Sequence, residues 1–319
     1  MTNGAIILNA FFQAGGGYIS SGQLRRALRA TDRAVAVEIA ELGKLGYRIE
    51  SNPHLGYRLL SSPDRLTADD IKAQLKPQLI GAEILVFEQT ASTNDIVATL
   101  AASGAREGLT VFAESQTKGR GRHGRAWASP RGKGLWFSVL LRPTLSPAAF
   151  PRITVAAAVA IARAIRKTSA LDARIKWPND VTLRRKKVAG ILTEIQNGAA
   201  ILGVGINVNC TRDDFPTDLA PLATSLALEA GRRQDRVALA AAVLTAIDDC
   251  YHRALTNFDE IVAEWAKSCA TLGRQLTVKM GRRRIEGHAQ ALDADGALLL
   301  RKDNGQIERI LGADVEVEK

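Results

Sequence analysis

The chain has 319 residues, of which 46% are hydrophobic and 24% charged, and its formal net charge is +10. Its length allows two or three compact domains, and this composition excludes a largely disordered chain. The positive charge indicates a surface that attracts anions: nucleic acid, nucleotide phosphates or an acidic protein. The three cysteines have no metal-like spacing, which is typical of a reducing compartment and predicts a cytoplasmic location.

The first 64 residues have the pattern of a small helical unit followed by a hairpin. Residues that can cap a helix precede two stretches with apolar residues at helical spacing, which begin near Ser21 and Asp32. Two short strand patterns follow at 47–50 and 56–60, separated by a turn. The order predicts a winged helix-turn-helix over residues 1–64.

Residues 65–270 mix strand and helix patterns, and predict a mixed-sheet α/β domain. The predicted strands are 84–87, 109–113, 135–141, 188–195 and 201–208, and the predicted helices are 94–102, 153–167, 237–255 and 259–269. The most apolar stretches, 153–165 and 237–247, are too short to span a bilayer, so we expect buried helices and no membrane association.

Residues 271–319 change to short β segments. Turn-forming residues separate these segments at Gly281, at 293–296 and at 303–305. The pattern predicts a small C-terminal β-barrel, so the whole chain is expected to be a multidomain α+β protein.

The segment 116–127, QTKGRGRHGRAW, combines glycines with arginines and contains no acidic residue. Glycines let the backbone approach a ligand closely, and arginines supply donors that match carboxylate or phosphate oxygens. A solvated basic loop, or a nonspecific contact with nucleic acid, would have the same composition. The segment is not a P-loop, and the GVGIN run at 203–207 lacks the third glycine of a dinucleotide fingerprint.

Three further motifs carry polar or charged groups next to strand patterns. They are Ser92-Thr93-Asn94, the KWPND run at 176–180 and the KVAGIL run at 187–192. Taken singly, each has a plain structural interpretation: a helix cap, a turn, or a charged residue at a strand end.

Together, in this order and approximate spacing, the motifs resemble those of the biotin protein ligase family. The match covers nearly the whole chain and is similar to the branch that combines a biotin ligase with a biotin operon repressor. The resemblance implies an N-terminal winged helix-turn-helix, a catalytic domain like class II synthetases over 65–270, and an SH3-like barrel over 271–319. It also implies that ATP activates biotin as biotinyl-5′-adenylate, which is transferred to a lysine of the biotin carboxyl carrier protein of acetyl-CoA carboxylase.

The resemblance assigns roles to individual residues. The residues that would bind biotin are Ser92, Thr93, Asn94, Gln116, Arg120, Gly121, Arg122 and Lys187. The residues that would line the ATP side are Arg125, Trp127, Lys176, Asn179, Asp180 and Asn207. Arg122, Lys187 and Asn179 would act in catalysis, Asp180 would lie near Mg²⁺, and residues 211–223 would form a second mobile loop.

The resemblance also implies operator DNA as a partner, and dimerisation through an exposed edge of the central sheet. The DNA-binding residues would be Arg25, Arg26, Arg29 and Arg33. However, the second helix begins with Asp32, which repels phosphates, and Ala36 and Val37 offer no hydrogen bonds to bases. These residues argue against regulation as the sole role. Two alternatives to the ligase stay open: a regulator that senses biotin without efficient transfer, and a lipoate ligase.

Overall fold

The computed structural model describes residues 2–75, 79–280 and 283–311, and the backbone of 314–317. The helices are α1 (Asn3–Gln13), α2 (Ser21–Leu28), α3 (Asp32–Lys44), α4 (Ala68–Gln74), α5 (Thr93–Ala102), α6 (Pro151–Ser169), α7 (Leu226–Ala230), α8 (Arg236–Thr256) and α9 (Phe258–Ser268). The strands are β1 (Arg48–Asn52), β2 (Gly56–Ser61), β3 (Ile84–Phe87), β4 (Thr110–Ala113), β5 (Gly134–Leu141), β6 (Arg174–Lys176), β7 (Asp180–Leu183), β8 (Lys186–Gln196), β9 (Ala199–Asn207), β10 (Gln275–Met280), β11 (Arg283–Leu292), β12 (Leu298–Arg301), β13 (Ile307–Ile310) and β14 (Asp314–Val317).

The N-terminal unit consists of α1–α3 and an antiparallel hairpin of β1 and β2. The predicted helix starts are confirmed: Ser20 and Gln23 form a capping box for α2, and Thr31 caps α3. The helix α1 was not predicted, although its apolar residues Ile7, Leu8 and Phe11 lie in the core of this unit.

The short helix α4, which was also not predicted, lies between the N-terminal unit and the central region. It packs against both α1 and α8. Ala73 belongs to the apolar core of the N-terminal unit, whereas Ile71 belongs to the main core of the molecule. One helix of seven residues therefore contributes to two cores.

The central sheet has the order β3-β4-β5-β9-β8-β7-β6, and its pairs are antiparallel except for β3 with β4. Leu202, Val204 and Ile206 of β9 join α6 and α8 in the main core. Because side chains alternate along a strand, Gly203 and Gly205 face the opposite side, where α5 packs. The candidate site is built on this second face.

The helix α6 has 19 residues and is longer than the sequence suggested. The prediction that this segment is too short to span a bilayer was wrong, because Pro147–Ser169 has the length and hydropathy of a membrane span. However, 67% of its most apolar window is buried inside the protein, and α6 packs against α8, α9 and the sheet. It is the central helix of the core.

The C-terminal strands form an antiparallel sheet with the order β13-β12-β11-β10-β14. Leu276, Val278, Leu298 and Leu300 of this sheet join the main core, so the unit packs on the central region. The predicted turns at 293–296 and 303–305 separate β11, β12 and β13, whereas Gly281 lies outside the described residues.

Candidate functional site

The glycine- and arginine-rich segment folds as a narrow ribbon rather than an open loop. Its two arms pair at Gln116 with Ser129 and at Arg120 with Ala126, and a tight turn over Arg122–Gly124, in which His123 has a φ of 56°, forms the tip. The N–H of Gly121 donates to the carbonyl of Arg125 at 2.7 Å, so this N–H is not free to bind an anion. The arginine side chains supply further donors on the ribbon.

A polar network joins the start of α5 to the base of the ribbon. Gln116 Oε1 accepts the N–H of Thr93 at 2.9 Å, and Gln116 Nε2 donates to Ser129 Oγ at 2.9 Å. The Thr93 hydroxyl lies 2.7 Å from Ser138 Oγ on β5. Ser92 is buried before α5, and its side chain makes no capping hydrogen bond, so the interpretation of Ser92 as a simple helix cap is wrong.

Asn94 and Arg120 are held by acidic residues that the sequence analysis missed. Asn94 Nδ2 donates to Glu194 Oε2 on β8 at 2.6 Å, and Asn94 Oδ1 accepts from Ser138 at 2.5 Å. The guanidinium of Arg120 binds both oxygens of Asp95, at 2.9 and 2.6 Å, and lies 3.4 Å from Glu194. The hydrogen bonds from Arg120 lower the pKa of the Asp95 carboxyl.

Glycines on the neighbouring strands β8 and β9 provide the space for these side chains. A Cβ atom at Gly203 would overlap the amide of Asn94, and one at Gly205 would overlap the indole of Trp127. A Cβ atom at Gly190 would come within 2.8 Å of the same indole. The GVGIN motif therefore forms a floor beneath Asn94 and Trp127 rather than a dinucleotide-binding turn.

Arg122 and Lys187 meet at the KWPND motif. Lys187 Nζ lies 2.7 Å from Asp180 Oδ1, and Arg122 Nη1 donates to Oδ1 of the adjacent Asn179 at 3.2 Å. Lys187 Nζ also lies 5.2 Å from the ring centroid of Trp127. The structure thus brings together Arg122, Lys187 and Asn179, the three residues that the resemblance assigns to catalysis.

The remaining predicted residues surround this cluster. Asn207 is buried at the end of β9 and donates to the carbonyl of Thr224 at 3.0 Å. Lys176 is half-buried in β6, and Arg125 is exposed on the ribbon. The segment 176–180 is not only a turn, because Asp180 begins the strand β7, which pairs with β8.

The predicted second loop lies directly beside Lys187. The N–H of Lys187 donates to the carbonyl of Leu222 at 2.8 Å, and the carbonyl of Lys187 accepts from Thr224 at 2.9 Å. At the other end of the segment, Lys133 Nζ lies 3.4 Å from Asp214. The loop thus borders the cluster that contains Lys187 and Asp180.

The predicted DNA-binding residues lie on α2, at its C-terminal end and on α3, away from these clusters. Arg25 is paired with Asp32 at 3.0 Å, whereas Arg26, Arg29 and Arg33 are exposed. No group of three or more metal-ligating side chains occurs within the described ranges.

Comparison with known proteins identifies the family. Residues 86–210 match the Biotin/lipoate A/B protein ligase family, and residues 271–317 match the Biotin protein ligase C terminal domain. The chain is 35% identical to the bifunctional ligase/repressor BirA of Bacillus subtilis (strain 168), over 98% of this chain and 97% of that protein. It is 33% identical to the biotin--[acetyl-CoA-carboxylase] ligase of Mycobacterium tuberculosis (strain ATCC 25618 / H37Rv), over 76% of this chain and 93% of that protein.

A solved structure is similar as well. The biotin protein ligase from Aquifex aeolicus, in complex with biotin and ATP, superposes with a TM-score of 0.66 at 28% identity, and the match covers 74% of this chain and 99% of that one. The ribbon, the glycine floor and Lys187 lie within residues 86–210, which match the ligase family model, and the second loop follows directly after them. The chain belongs to the biotin protein ligase family.

Proposed function

We propose that this protein is a biotin–[acetyl-CoA carboxylase] ligase, which activates biotin with ATP and transfers the biotinyl group to a lysine of a biotin carboxyl carrier protein. The observation that carries the proposal is the convergence of Arg122 and Lys187 on the adjacent residues Asn179 and Asp180. The names of the relatives support the same activity. ATP and biotin are its substrates.

The first step joins two anions. The biotin carboxylate attacks the α-phosphate of ATP, pyrophosphate leaves, and biotinyl-5′-adenylate forms. Lys187 leaves Asp180 and binds the reacting oxygens, and Arg122 leaves Asn179 and binds them too. Both cations then neutralise the charge that develops in the transition state. Loss of one such donor typically lowers the rate by about 10²- to 10³-fold. Arg120, which is already neutralised by Asp95 and Glu194, fixes the ribbon in place.

The buried polar network favours biotin over lipoate. We assign the ring system of biotin to Ser92, Thr93, Asn94 and Gln116, with Gly121 of the ribbon over it. A urea-type ring has N–H and C=O groups that can pair with these side chains, whereas a dithiolane ring has no such groups. A site built to hydrogen-bond its substrate rejects an analogue that leaves buried polar groups unpaired.

The ATP side is assigned to the remaining residues. They are Arg125, Trp127, Lys176, Asn179, Asp180 and Asn207. Trp127 Nε1 is buried without a hydrogen-bond partner among the described residues, and would be available to a ligand. Asp180 is the one protein ligand assigned to Mg²⁺, and its carboxylate is paired with Lys187. One carboxylate does not make a metal centre that the protein holds alone. Mg²⁺ commonly binds together with nucleotide phosphates, which supply its other ligands.

The second step needs no nucleophile from the enzyme. The acceptor lysine amine attacks the mixed anhydride, and AMP leaves. The cysteines support this direct transfer, because all three are buried, and burial raises the pKa of both Cys210 and Cys250 to about 12.

The finer architecture belongs to the same proposal. We assign a winged helix-turn-helix to residues 1–64, the catalytic domain to 65–270 and an SH3-like barrel to 271–319. A homodimer and a cytoplasmic location complete this part of the proposal.

A biotin-dependent repressor would also contact operator DNA, and the name of the Bacillus relative supports that added role. The residues assigned to this contact are Arg25, Arg26, Arg29 and Arg33. The exposed Asp32, Ala36 and Val37 on α3 favour phosphate contacts from α2 over direct reading of bases.

The test is incubation of the protein with biotin, MgATP and a biotin carboxyl carrier domain, followed by intact mass measurement of the carrier. We expect the mass gain of one biotinyl group on one lysine. A parallel reaction with lipoate should leave the mass unchanged. An unmodified carrier in the biotin reaction, when biotin-dependent ATP–pyrophosphate exchange is observed, would favour the regulator that only senses biotin.

A further inference from the structure

The turn between β7 and β8 carries arginine at two positions that favour glycine or asparagine. Arg184 and Arg185 have φ angles of 46° and 68° and form the two-residue connection between paired Leu183 and Lys186. Hairpin turns with two positive φ angles favour Asn-Gly, because a side chain on an L-residue is crowded in this region. Two arginines at these positions are unfavourable for folding, which points to a use for their side chains.

A cavity of about 530 Å³ lies beside this turn. Its rim carries Arg184, Lys186 and Arg212, and its floor includes the apolar side chains of Phe215 and Leu228. Within the parts of the chain that the structure describes, Lys186 and Arg212 have no side-chain hydrogen bond or ion pair. The acid that faces them, Glu229, is mostly buried and lies 3.5 Å from Arg184. The rim therefore has excess positive charge.

The cavity borders the proposed active site. Lys186 and Lys187 point to opposite sides of β8, so that Lys186 lines the cavity while Lys187 reaches Asp180. The segment that covers the cavity is the one whose Leu222 and Thr224 hydrogen-bond to the backbone of Lys187. A molecule that occupies this cavity thus lies next to the reacting groups.

We propose that the rim of Arg184, Lys186 and Arg212, together with its apolar floor, is the docking surface for the acceptor protein. The inference rests on the proposed function and adds the recognition step: an acidic patch beside the target lysine of the carrier domain binds this rim. The apolar floor favours a folded protein surface over free phosphate, which is recognised by polar donors alone. Arg184 has 83% of its side chain exposed, as a residue that meets a partner in solution requires.

Two double variants test the docking surface. Arg184→Glu with Lys186→Glu reverses the charge of the rim. Arg184→Asn with Arg185→Gly removes charge and installs the preferred turn sequence, and should raise the Tm by roughly 1–3 °C. The control is Arg106→Glu with Lys167→Glu, which makes the same change in net charge at two exposed positions away from the cavity.

The measurements are biotin-dependent ATP–pyrophosphate exchange and the KM for a biotin carboxyl carrier domain. We expect the charge-reversed variant to keep exchange within about twofold of the parent, and to raise the KM for the carrier at least about fivefold, because charges at a rim act mainly on association. The Asn-Gly variant should raise the KM less while becoming more stable. The control should behave like the parent.

An unchanged KM for the carrier in the charge-reversed variant would overturn the docking surface and leave the proposed function intact. Loss of exchange in that variant would overturn it as well, since the rim would then belong to the nucleotide site. A parent protein without biotin-dependent exchange would contradict the proposed function itself, and the docking surface with it.

Discussion

Glu194 connects two residues that the motifs identify with the biotin site. Its carboxylate accepts from Asn94 at 2.6 Å and lies 3.4 Å from Arg120. It is a positioning residue in this arrangement, because it orients groups that would contact the substrate. Its contribution should therefore appear in the binding of biotin more than in the chemical step.

We predict that Glu194→Gln raises the KM for biotin about fivefold with little change in kcat. The amide keeps the shape of the side chain but replaces charge-assisted hydrogen bonds with neutral ones, a difference of about 1 kcal/mol. Steady-state kinetics of carrier biotinylation measures both constants. The control is Glu260→Gln, which alters an exposed acid on α9 that pairs with Arg253 of α8. Equal effects of the two variants on the KM for biotin would show that Glu194 does not position the biotin site.

Arg122 lies at the tip of the ribbon, where a glycine would leave the proposed adenylate without one cation. We predict that Arg122→Gly releases the adenylate into solution, so that lysines of unrelated proteins become biotinylated. Blotting of serum albumin incubated with the variant, biotin and MgATP detects this activity. His123→Gly removes the next side chain of the same tip and serves as control. Tight retention of the adenylate by Arg122→Gly would contradict the assigned role.

At the scale of residues, the sequence analysis found the residues that belong to motifs and missed single polar residues within strands. The glycine- and arginine-rich segment and the KWPND run are ambiguous singly, and only their order and spacing together made them recognisable. Glu194 and Ser138 are single polar residues in predicted strands, and their partner Asn94 is 100 and 44 residues away in the chain. Only the pairing of strands brings them to Asn94.

At the scale of elements, the ion pair of Arg120 with Asp95 adds to the polar network that joins the ribbon to α5. Hydrogen bonds from Arg120 lower the pKa of Asp95, so the pair stabilises the fold at any pH above the ordinary aspartate value of about 3.9. As the pH falls through the lowered pKa of the folded state, Asp95 gains a proton and this contribution is lost. The ribbon is thus expected to stay attached to α5 throughout the neutral range.

We predict that Arg120→Ala raises the pKa of Asp95 towards its ordinary value. The carboxyl carbon shift of Asp95, followed by NMR from pH 6 to about pH 2.5 in parent and variant, gives the two midpoints directly. The midpoint of Asp293, which pairs with Arg309 in the C-terminal sheet unit, should be the same in both proteins. Identical midpoints for Asp95 would show that the pair does not form in solution.

The glycine floor sets the depth of the site, since β9 passes directly beneath Trp127. We predict that Gly205→Ala displaces the indole, because the new methyl group would overlap it. Lys187 would lose its aromatic contact, and we expect carrier biotinylation to fall by about 10²-fold or more, as for a misplaced catalytic group. Tryptophan fluorescence and activity report the two effects. Gly43→Ala in α3, which has open space around the new methyl group, should affect neither.

Most elements with clear periodicity or caps were predicted, whereas α1, α4, α7 and β7 were not. The strands β5, β8 and β9 differ from the predicted ranges by at most two residues at either end, and Ser20 and Thr31 mark the starts of α2 and α3. The strand β7 has only four residues and follows Pro178, which favours a turn in any sequence reading. The helix α4 is too short for a helical period to be recognised, and it divides its apolar residues between two cores.

On the scale of the whole molecule, a buried ion pair joins the segment before α4 to the central sheet. Arg236, at the start of α8, is 2% exposed, and its guanidinium binds the carboxylate of Glu114 at 2.6 and 3.2 Å. It also donates to the carbonyl of Asp64 at 3.0 Å, while Glu114 accepts the N–H of Leu66 at 2.6 Å. Glu114 follows β4, two residues before Gln116 of the site. The buried ion pair of Arg236 with Glu114 therefore holds the connection between the N-terminal unit and the central region in place.

We predict that Arg236→Ala lowers the free energy of unfolding by about 3–5 kcal/mol, because it leaves Glu114 buried without its counter-charge. Arg233→Ala, three residues earlier, removes an exposed partner of Asp64 and should cost no more than about 1 kcal/mol. Urea unfolding followed by circular dichroism measures both. If the two variants were equally stable, the buried pair would contribute no more than a surface contact. Adding Glu114→Gln to Arg236→Ala should recover part of the lost free energy of unfolding, because no unpaired charge is then buried.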